Sequence, residues 1–577
     1  MAGETTAATA AAAAKAKDDT ISGDEPALQR RRSIERQAVD EGHDADIPSA
    51  EGFILSDEDE KRRLEHIADQ RQKSLTRRRS QQSESRDIEK DAGTAAGKDG
   101  NGGAATSSEE EPATDPNVID WDENDPENPF NWPSWKKGVN ITLISALTFV
   151  APLASSIFAP AVPQLMREFR SDNLELASFV VSVYVLGFAA GPLLIAPLSE
   201  IYGRVIVYNL CNIGFVAFLV GCALAPSLNA LIVFRFLSGV FGSCPLSNGG
   251  GTIADMIVQE KRAAAMGAFS FGPLLGPIIG PIAGGFLANA KGWRWVFWLM
   301  VIVAGVLAIA IFVFARESYA PVLLQRKVDR LRKETGNDLL RSKLDSGLSP
   351  TDYFKRSIVR PMRMLVFSPL CLVFALYISV IYGYLYIMFT SMSVVFIQQY
   401  GFTTGTVGLV FLGLGIGSMS GLVYFGITSD RAIKKATLEE GGAKPEHRLT
   451  TLPLGAILLP VGFFIYGWTV QYHVHWIVPI LSHAVIGFGN ILIFISMNLA
   501  LVDTFTIYAA SALAANTVVR SVFGAVLPLF GLQMYEALGL GWGNSLLAFI
   551  AVAMVPIAFL IIKYGEVLRT KYPIKNL

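Results

Sequence analysis

The sequence predicts an all-α membrane protein, with twelve transmembrane helices in two pseudo-symmetric six-helix bundles. Three observations predict it. Apolar runs of bilayer-crossing length, about 20 residues, recur twelve times after residue 138. A polar segment, 315–366, divides them six and six. A charged mark at the end of the second run returns in weaker form at the end of the eighth. Composition agrees: of 577 residues, 51% are apolar and 17% charged, which excludes a soluble enzyme as the default.

The chain divides by charge. Residues 1–138 carry 19 Lys/Arg against 31 Asp/Glu, and 139–577 carry 30 against 19. The first segment, with an alanine-rich run (Ala7–Ala14) and few aromatics, is expected to be a disordered tail, because it cannot bury enough apolar surface to offset its ordering entropy. Two basic runs within it end in Ser33 and Ser80, candidate sites for a basic-directed kinase. The apolar stretches cover 139–160, 176–197, 205–225, 228–251, 263–288, 294–314, 367–396, 404–428, 450–470, 474–498, 506–533 and 541–564. They give an amino-terminal bundle over 139–314, an amphipathic cytoplasmic linker over 315–366, a carboxy-terminal bundle over 367–564, and a short tail over 565–577. Loops after even-numbered stretches hold 20 Lys/Arg, and those on the other side hold 4. The positive-inside rule then places the linker and both termini in the cytoplasm. No removable signal peptide is expected. Cys211, Cys222, Cys244 and Cys371 lie inside apolar runs without metal-ligand spacing, and read as buried thiols.

Several motifs carry chemistry. The second stretch ends Ala196-Pro-Leu-Ser-Glu200-Ile-Tyr-Gly203-Arg204. Glycine permits a tight turn between packed helices, and Glu200 beside Arg204 can form a charge latch. Gly426-Ile-Thr-Ser-Asp430-Arg431 is its weaker copy, and the repeat points to a two-bundle transporter. The fifth stretch reads Gly272-Pro-Leu-Leu-Gly276-Pro-Ile-Ile-Gly280-Pro281-Ile-Ala-Gly284-Gly285, with one ridge of glycines and another of prolines. Small residues allow close helix approach in lipid. A matching ridge, Gly413, Gly417 and Gly421, suggests that the fifth and eighth helices pack across the interface between bundles. Arg235 and Arg520 lie deep in the fourth and eleventh stretches, where a guanidinium needs water, polar partners or backbone carbonyls.

These residues resemble the major facilitator superfamily over 139–577. The loop at 196–204 is similar to its signature Gly-x-Leu-Ala-Asp-x-x-Gly-Arg, with Ala196 and Glu200 departing from it. Gly276–Gly285 matches its antiporter signature, Gly-x-x-x-Gly-Pro-x-x-Gly-Gly, at every fixed position. Arg235-x-x-x-Gly239-x-x-Gly242 matches its helix-4 motif, for which the resemblance implies proton transfer. Asn131-Trp132-Pro133, Arg316-Glu317-Ser318-Tyr319-Ala320-Pro321, Leu501-Val502-Asp503, Tyr508–Asn516 and Arg520-Ser521 with Pro528 look like the fungal twelve-helix drug:proton antiporters, a group that includes polyamine exporters and azole-resistance pumps.

The resemblance implies an exporter of hydrophobic or cationic drugs, toxins or secondary metabolites, driven by inward proton flow through alternating access at the plasma membrane. A polyamine exporter and a sugar-like nutrient importer are the alternatives, and a non-transporting sensor is a weaker third. No enzyme activity, cofactor, metal or nucleic-acid partner is expected, and the chain is expected to act as a monomer in the bilayer. No carboxylate lies midway along any stretch, so the coupled proton has no evident carrier. Asp503 is the first candidate, beside the helix that carries Arg520, and Asp255 and His483 are others. Helix 7 is rich in tyrosine: Tyr377 and Tyr384 share a face and, with Asn490 and Asn516, are the expected substrate pocket.

Overall fold

The computed structural model describes residues 117–571 except 123, 259–260, 346, 348 and 441–443. The expected disorder over 1–116 and the sites Ser33 and Ser80 lie outside the described residues. Within them, α1 (Ser134–Ser156), α2 (Leu174–Tyr202), α3 (Arg204–Ala223), α4 (Leu228–Met256), α5 (Arg262–Lys291) and α6 (Trp293–Phe314) form the first half. The second half comprises α7 (Pro369–Tyr400), α8 (Phe411–Glu440), α9 (Leu452–Gln471), α10 (Ile477–Phe505), and one rod, Ala509–Lys571. That rod breaks at Gly539, where φ is 74°, giving α11 (509–538) and α12 (540–571) and twelve spans in all. The twelfth helix therefore continues to Lys571 through part of the expected tail.

Local signals explain the ends. Asn173, Ser227 and Ser368 each accept an N–H in the first turn of α2, α4 and α7, satisfying donors that have no intrahelical partner. Gly203 and Gly292, with φ of 102° and 86°, turn α2 into α3 and α5 into α6, as Gly539 turns α11 into α12. Each half has its own apolar core, around Phe158, Tyr184 and Phe297 in the first and around Phe374, Phe411 and Phe463 in the second. The outward faces are apolar too. Ile206, Leu210 and Ile213 on α3, Ile302, Val306 and Ile309 on α6, Ile457, Val461 and Ile465 on α9, and Leu546, Phe549 and Leu560 on α12 are exposed. Such stripes suit hydrocarbon, and exposed Trp135, Trp295, Tyr472, Trp476 and Trp542 near helix ends suit its borders.

The halves meet through α2 against α11 and through α5 against the start of α8. The glycine ridges serve another purpose than the sequence suggested. A Cβ on Gly272 or Gly276 would meet the backbone of Phe149 or Leu153 on α1 at 2.8–2.9 Å, and one on Gly284 would overlap the Ile157 carbonyl. Gly413 and Gly417 likewise press on the Ile480 and Ala484 carbonyls of α10, and Gly421 on the Phe488 carbonyl. The ridges therefore bind helices within each half. Contact across the interface comes from residues beside the ridges: a Cβ on Gly285 would lie 2.7 Å from the Thr404 carbonyl, one on Gly408 would overlap the Pro281 carbonyl, and one on Gly415 the Ile278 side chain.

The linker contains two helices, Ala320–Thr335 and Pro350–Phe367. Residues 117–122 and 124–127 are folded against it, which corrects the expected disorder over that part of the tail. Val118–Ile119 pairs in parallel with Arg341–Ser342. Asp120 bonds Lys343 at 2.5 Å, Asp125 and Asp122 bond Lys327 at 2.6 and 3.3 Å, and Glu127 bonds Arg330 at 3.0 Å. The Lys343 ammonium holds the Asp120 carboxyl below the ordinary carboxylate range. Burial opposes charge on Asp125, but the bonds from Lys327 and the Glu127 N–H prevail and hold its carboxyl down as well.

Candidate functional site: the latch and the midplane

The face nearest the linker carries a latch built at the α2–α3 turn. Arg204 opens α3 and is buried. Its Nε donates to Asp255 at the end of α4 at 3.1 Å, its Nη1 donates to Ser199 at 2.7 Å, and its guanidinium lies 4.6 Å from the Tyr319 ring centre. Glu200 is not its direct partner. The Glu200 carboxylate accepts instead from the Tyr353 hydroxyl of the second linker helix, so the expected Glu200–Arg204 latch is an Arg204–Asp255 latch with Glu200 reaching the linker. Burial and the Glu200 carboxylate raise the Tyr319 phenol to about 12. Burial, then the bond to Glu200, raises Tyr353 too. Both phenols therefore stay protonated donors at neutral pH.

Glu317, just after α6, completes the arrangement. Its carboxylate accepts from the backbone N–H groups of Arg204 at 2.9 Å and Val205 at 3.0 Å, and also from those of Ser318 and Tyr319. An anion there meets unsatisfied donors and the positive end of the helix dipole. Gly203 makes the approach possible: a Cβ would lie 2.6 Å from Glu317 Oε2. The sequence motif around Glu317 does not reveal this role, since 112 residues separate it from Val205.

The second half has a related pair in another place than the sequence suggested. Asp430 and Arg431 are exposed in mid-α8, an unbroken helix, and Gly426 makes no turn. The pair that matches Arg204–Asp255 by position is Arg448, before α9, with Asp503 near the end of α10, at 2.9 Å. Asp503 is thus engaged by Arg448 and not by Arg520, which corrects its expected setting.

A line of polar groups runs from the core of the first half to the second. Arg235 is wholly buried, and it donates to the carbonyls of Ala154 (2.8 Å), Ser155 (3.0 Å), Val180 (3.1 Å) and Val181 (3.3 Å). Ala154 and Ser155 end α1, where carbonyls lack intrahelical donors and the dipole is negative. The arginine thereby ties α4 to α1 and α2. The Ser155 hydroxyl shares a 2.8 Å hydrogen bond with Tyr386 of α7, across the halves. Tyr386 packs on Tyr382 with ring centres 5.1 Å apart. Arg520 lies 5.2 Å from the Tyr382 ring centre and 5.3 Å from that of Phe494. Ser182 donates to the Ala525 carbonyl at 2.9 Å, and Gln533 to Glu175 at 2.7 Å, joining α2 to α11.

The tyrosines that face the first half are therefore Tyr382 and Tyr386. Tyr384 donates to the Leu547 carbonyl of α12 and packs against Phe463 of α9, and Tyr377 is buried in the same core; both leave the expected pocket. A tyrosine-rich helix offers several faces, and its sequence does not say which one turns inward. Asn490 donates to the Ile381 carbonyl of α7, and Asn516 to Asn498 of α10. His483 is enclosed against Tyr466 and Phe396, and among the described residues neither ring nitrogen has a hydrogen-bond partner.

The comparisons follow this geometry. The family model "Major Facilitator Superfamily" matches residues 144–528. The chain is 52% identical over 473 residues to "Efflux pump radE" of Floropilus chiversii, covering 81% of this chain and 88% of that one. It is 54% identical to "MFS-type transporter tndD" of Aspergillus flavipes, with 79% and 86% covered. Among solved structures, the partially occluded inward-open xylose transporter XylE of E. coli is similar in fold, with TM-score 0.54, 16% identity, and 75% and 98% covered. An inward-facing bacterial homologue of the lysosomal transporter Spinster gives TM-score 0.56 at 13% identity, with 77% and 100% covered. Twelve spans in two halves, a latched helix turn and a family match across the body lead to one conclusion: this multi-pass membrane protein belongs to the major facilitator superfamily.

Proposed function

We propose that the chain exports hydrophobic small molecules, drugs, toxins or secondary metabolites, in exchange for protons by alternating access, from a plasma membrane with both termini cytoplasmic. The observation that carries this reading is the setting of Gly276–Gly285. The stretch that resembles the antiporter signature seats α1 on α5 backbone to backbone, and its last glycine and Pro281 carbonyl bear on residues 404–408, just before α8. It is thus one of the two places where one half leans on the other. The name "efflux pump" borne by a relative 52% identical supports the same direction. In this reading Glu200, Gly203, Arg204 and Asp255 gate the cytoplasmic face, and Arg235 holds the end of α1 at the midplane. We assign the coupled proton to Asp255 in place of Asp503. Its side chain is only 16% exposed, against 38%, and its protonation would release Arg204.

Accumulation of hydrophobic fluorescent dyes in cells with and without the protein, repeated with a protonophore, tests the proposal. Expressing cells should hold less dye, and the protonophore should erase the difference. Equal dye levels with and without the protein in energised cells would overturn export. A difference that survives the protonophore would overturn proton coupling.

A further inference from the structure

One charged side chain near the contact between the halves has no counter-ion among the described residues. Arg520 lies eleven residues into α11, roughly 17 Å along it at 1.5 Å per residue, near the middle of a hydrocarbon layer about 30 Å thick. Asn516, Arg520 and Gly524 form one line on the helix at four-residue spacing. Asn516 bonds Asn498 of α10, and a Cβ added at Gly524 would lie 2.9 Å from the Tyr382 ring of α7 and 3.4 Å from the Val185 side chain of α2. One turn beyond Arg520, the bond from Ser182 to Ala525 closes α2 on α11. Arg520 therefore stands at the edge of the contact between the halves. It is half-buried, its Nε is enclosed without an acceptor, and it makes no ion pair with any described residue.

The contrast with Arg235 gives this its meaning. Arg235 spends its donors on four carbonyls, as a structural arginine in lipid must. Among the described residues, Arg520 has only the faces of Tyr382 and Phe494. A guanidinium whose Nε is enclosed without an acceptor at this depth is costly, and an anion is what would relieve it. Those two ring faces already carry a cation, so a cationic substrate would meet like charge where cation–π attraction would otherwise draw it.

We propose that Arg520 binds the ionised acid group, carboxylate or phenolate, of an aromatic substrate whose ring system rests against Tyr382, Tyr386 and Phe494. The inference rests on the exporter reading only in taking the space between the halves as the substrate path. It replaces the flat apolar or cationic cargo expected from the tyrosines with a weakly acidic one.

Two xanthene dyes of opposite charge test it: fluorescein, an anion at neutral pH, and rhodamine 6G, a cation. Binding to the purified full-length protein in detergent is read by fluorescence anisotropy, which needs neither gradient nor direction. Wild-type protein should bind fluorescein at least tenfold more tightly than rhodamine 6G. Arg520→Gln should weaken fluorescein about 10- to 100-fold, the range for a charged hydrogen bond, and leave rhodamine 6G unchanged or tighter. Arg520→Lys should recover part of the loss. Monodisperse gel filtration and an unaltered melting temperature separate these effects from misfolding, and the wild-type preference stands without any variant. The proposal is overturned by tighter binding of rhodamine 6G, by binding of neither dye, or by an Arg520→Gln protein with wild-type affinity for fluorescein. A protein that binds fluorescein through Arg520 yet lowers no dye in cells would keep this inference and lose the exporter reading.

Discussion

Gly203 and Glu317 should behave as one unit, and a double-mutant cycle can show it. Gly203 sits at φ 102° and ψ 159°, a region essentially reserved for glycine, so Gly203→Ala costs about 1–3 kcal/mol in backbone strain alone. The new methyl would also lie 2.6 Å from Glu317 Oε2. The carboxylate would have to withdraw from the Arg204 and Val205 N–H groups, which it holds at 2.9 and 3.0 Å. Loss of hydrogen bonding to a charged group adds about 1.5–3 kcal/mol. In a Glu317→Ala background the carboxylate is gone, and only the strain remains. The two substitutions should therefore be sub-additive by about 1.5–3 kcal/mol, beyond the roughly 0.5 kcal/mol scatter of independent sites. All four cysteines are buried, three in the first half and one in the second, so a thiol-reactive fluorophore reports unfolding of purified protein during a thermal ramp. Strictly additive destabilisation would refute the claim that glycine is required there to admit the carboxylate.

Other consequences follow from the same geometry. Arg235→Gln should sharply reduce the yield of monodisperse protein, since four carbonyls lose charge-assisted donors worth about 1.5–3 kcal/mol each at most; normal yield and melting would contradict a structural role. Gly284→Ala should destabilise by about 3 kcal/mol or more, because its Cβ would overlap the Ile157 carbonyl. Gly426→Ala, with nothing within 4 Å, should be neutral or stabilise by up to about 1 kcal/mol, and melting curves of the pair make the comparison. The contact of the segment 117–127 with the linker should loosen in acid and in salt. Asp120 and Asp125 have depressed carboxyl values, so their contribution is present above about pH 4 and is lost as pH falls through the folded values. Amide exchange at Arg341 and Lys343, which donate to the Asn117 and Ile119 carbonyls, should quicken under both conditions; exchange indifferent to both would refute the ionic account.

The architecture was legible because it follows from short-range signals. Run length gives spans, Lys/Arg bias suggests orientation, and the glycines at 203, 292 and 539 stand where consecutive helices must turn sharply. The glycine ridges announced close approach, but not to which helix, because a ridge has no address: α5 lies on α1 and α8 on α10. Partnership over long separations was similarly hidden. Glu317 with the start of α3, Tyr353 with Glu200, and Tyr386 with Ser155 are separated by more than a hundred residues, and no periodicity links them. The acidic stretch 120–127 was read as disordered because its composition suits solvent. Its cations lie two hundred residues later, on the linker, where composition alone cannot place them.

The two ion pairs that occupy matching places in the halves should not contribute equally. Arg204 and Asp255 have side chains 7% and 16% exposed, whereas Arg448 and Asp503 are 28% and 38% exposed. Water and salt screen the second pair, so Asp503→Asn should cost no more than about 1 kcal/mol. In the first pair, removal of the acid leaves a guanidinium with the Ser199 hydroxyl and the Tyr319 ring, in an enclosed site where an unpaired charge costs about 3–5 kcal/mol when fully buried. A loss of about 2–4 kcal/mol is expected for Asp255→Asn. The asymmetry has a structural origin: the first pair is roofed by Glu317, Tyr319 and Tyr353 of the linker. If the linker provides the burial, replacing Tyr319 by Ala should bring the Asp255→Asn loss down toward that of Asp503→Asn. Equal losses at Asp255 and Asp503 in the otherwise unaltered protein would show that the linker does not seal the first latch.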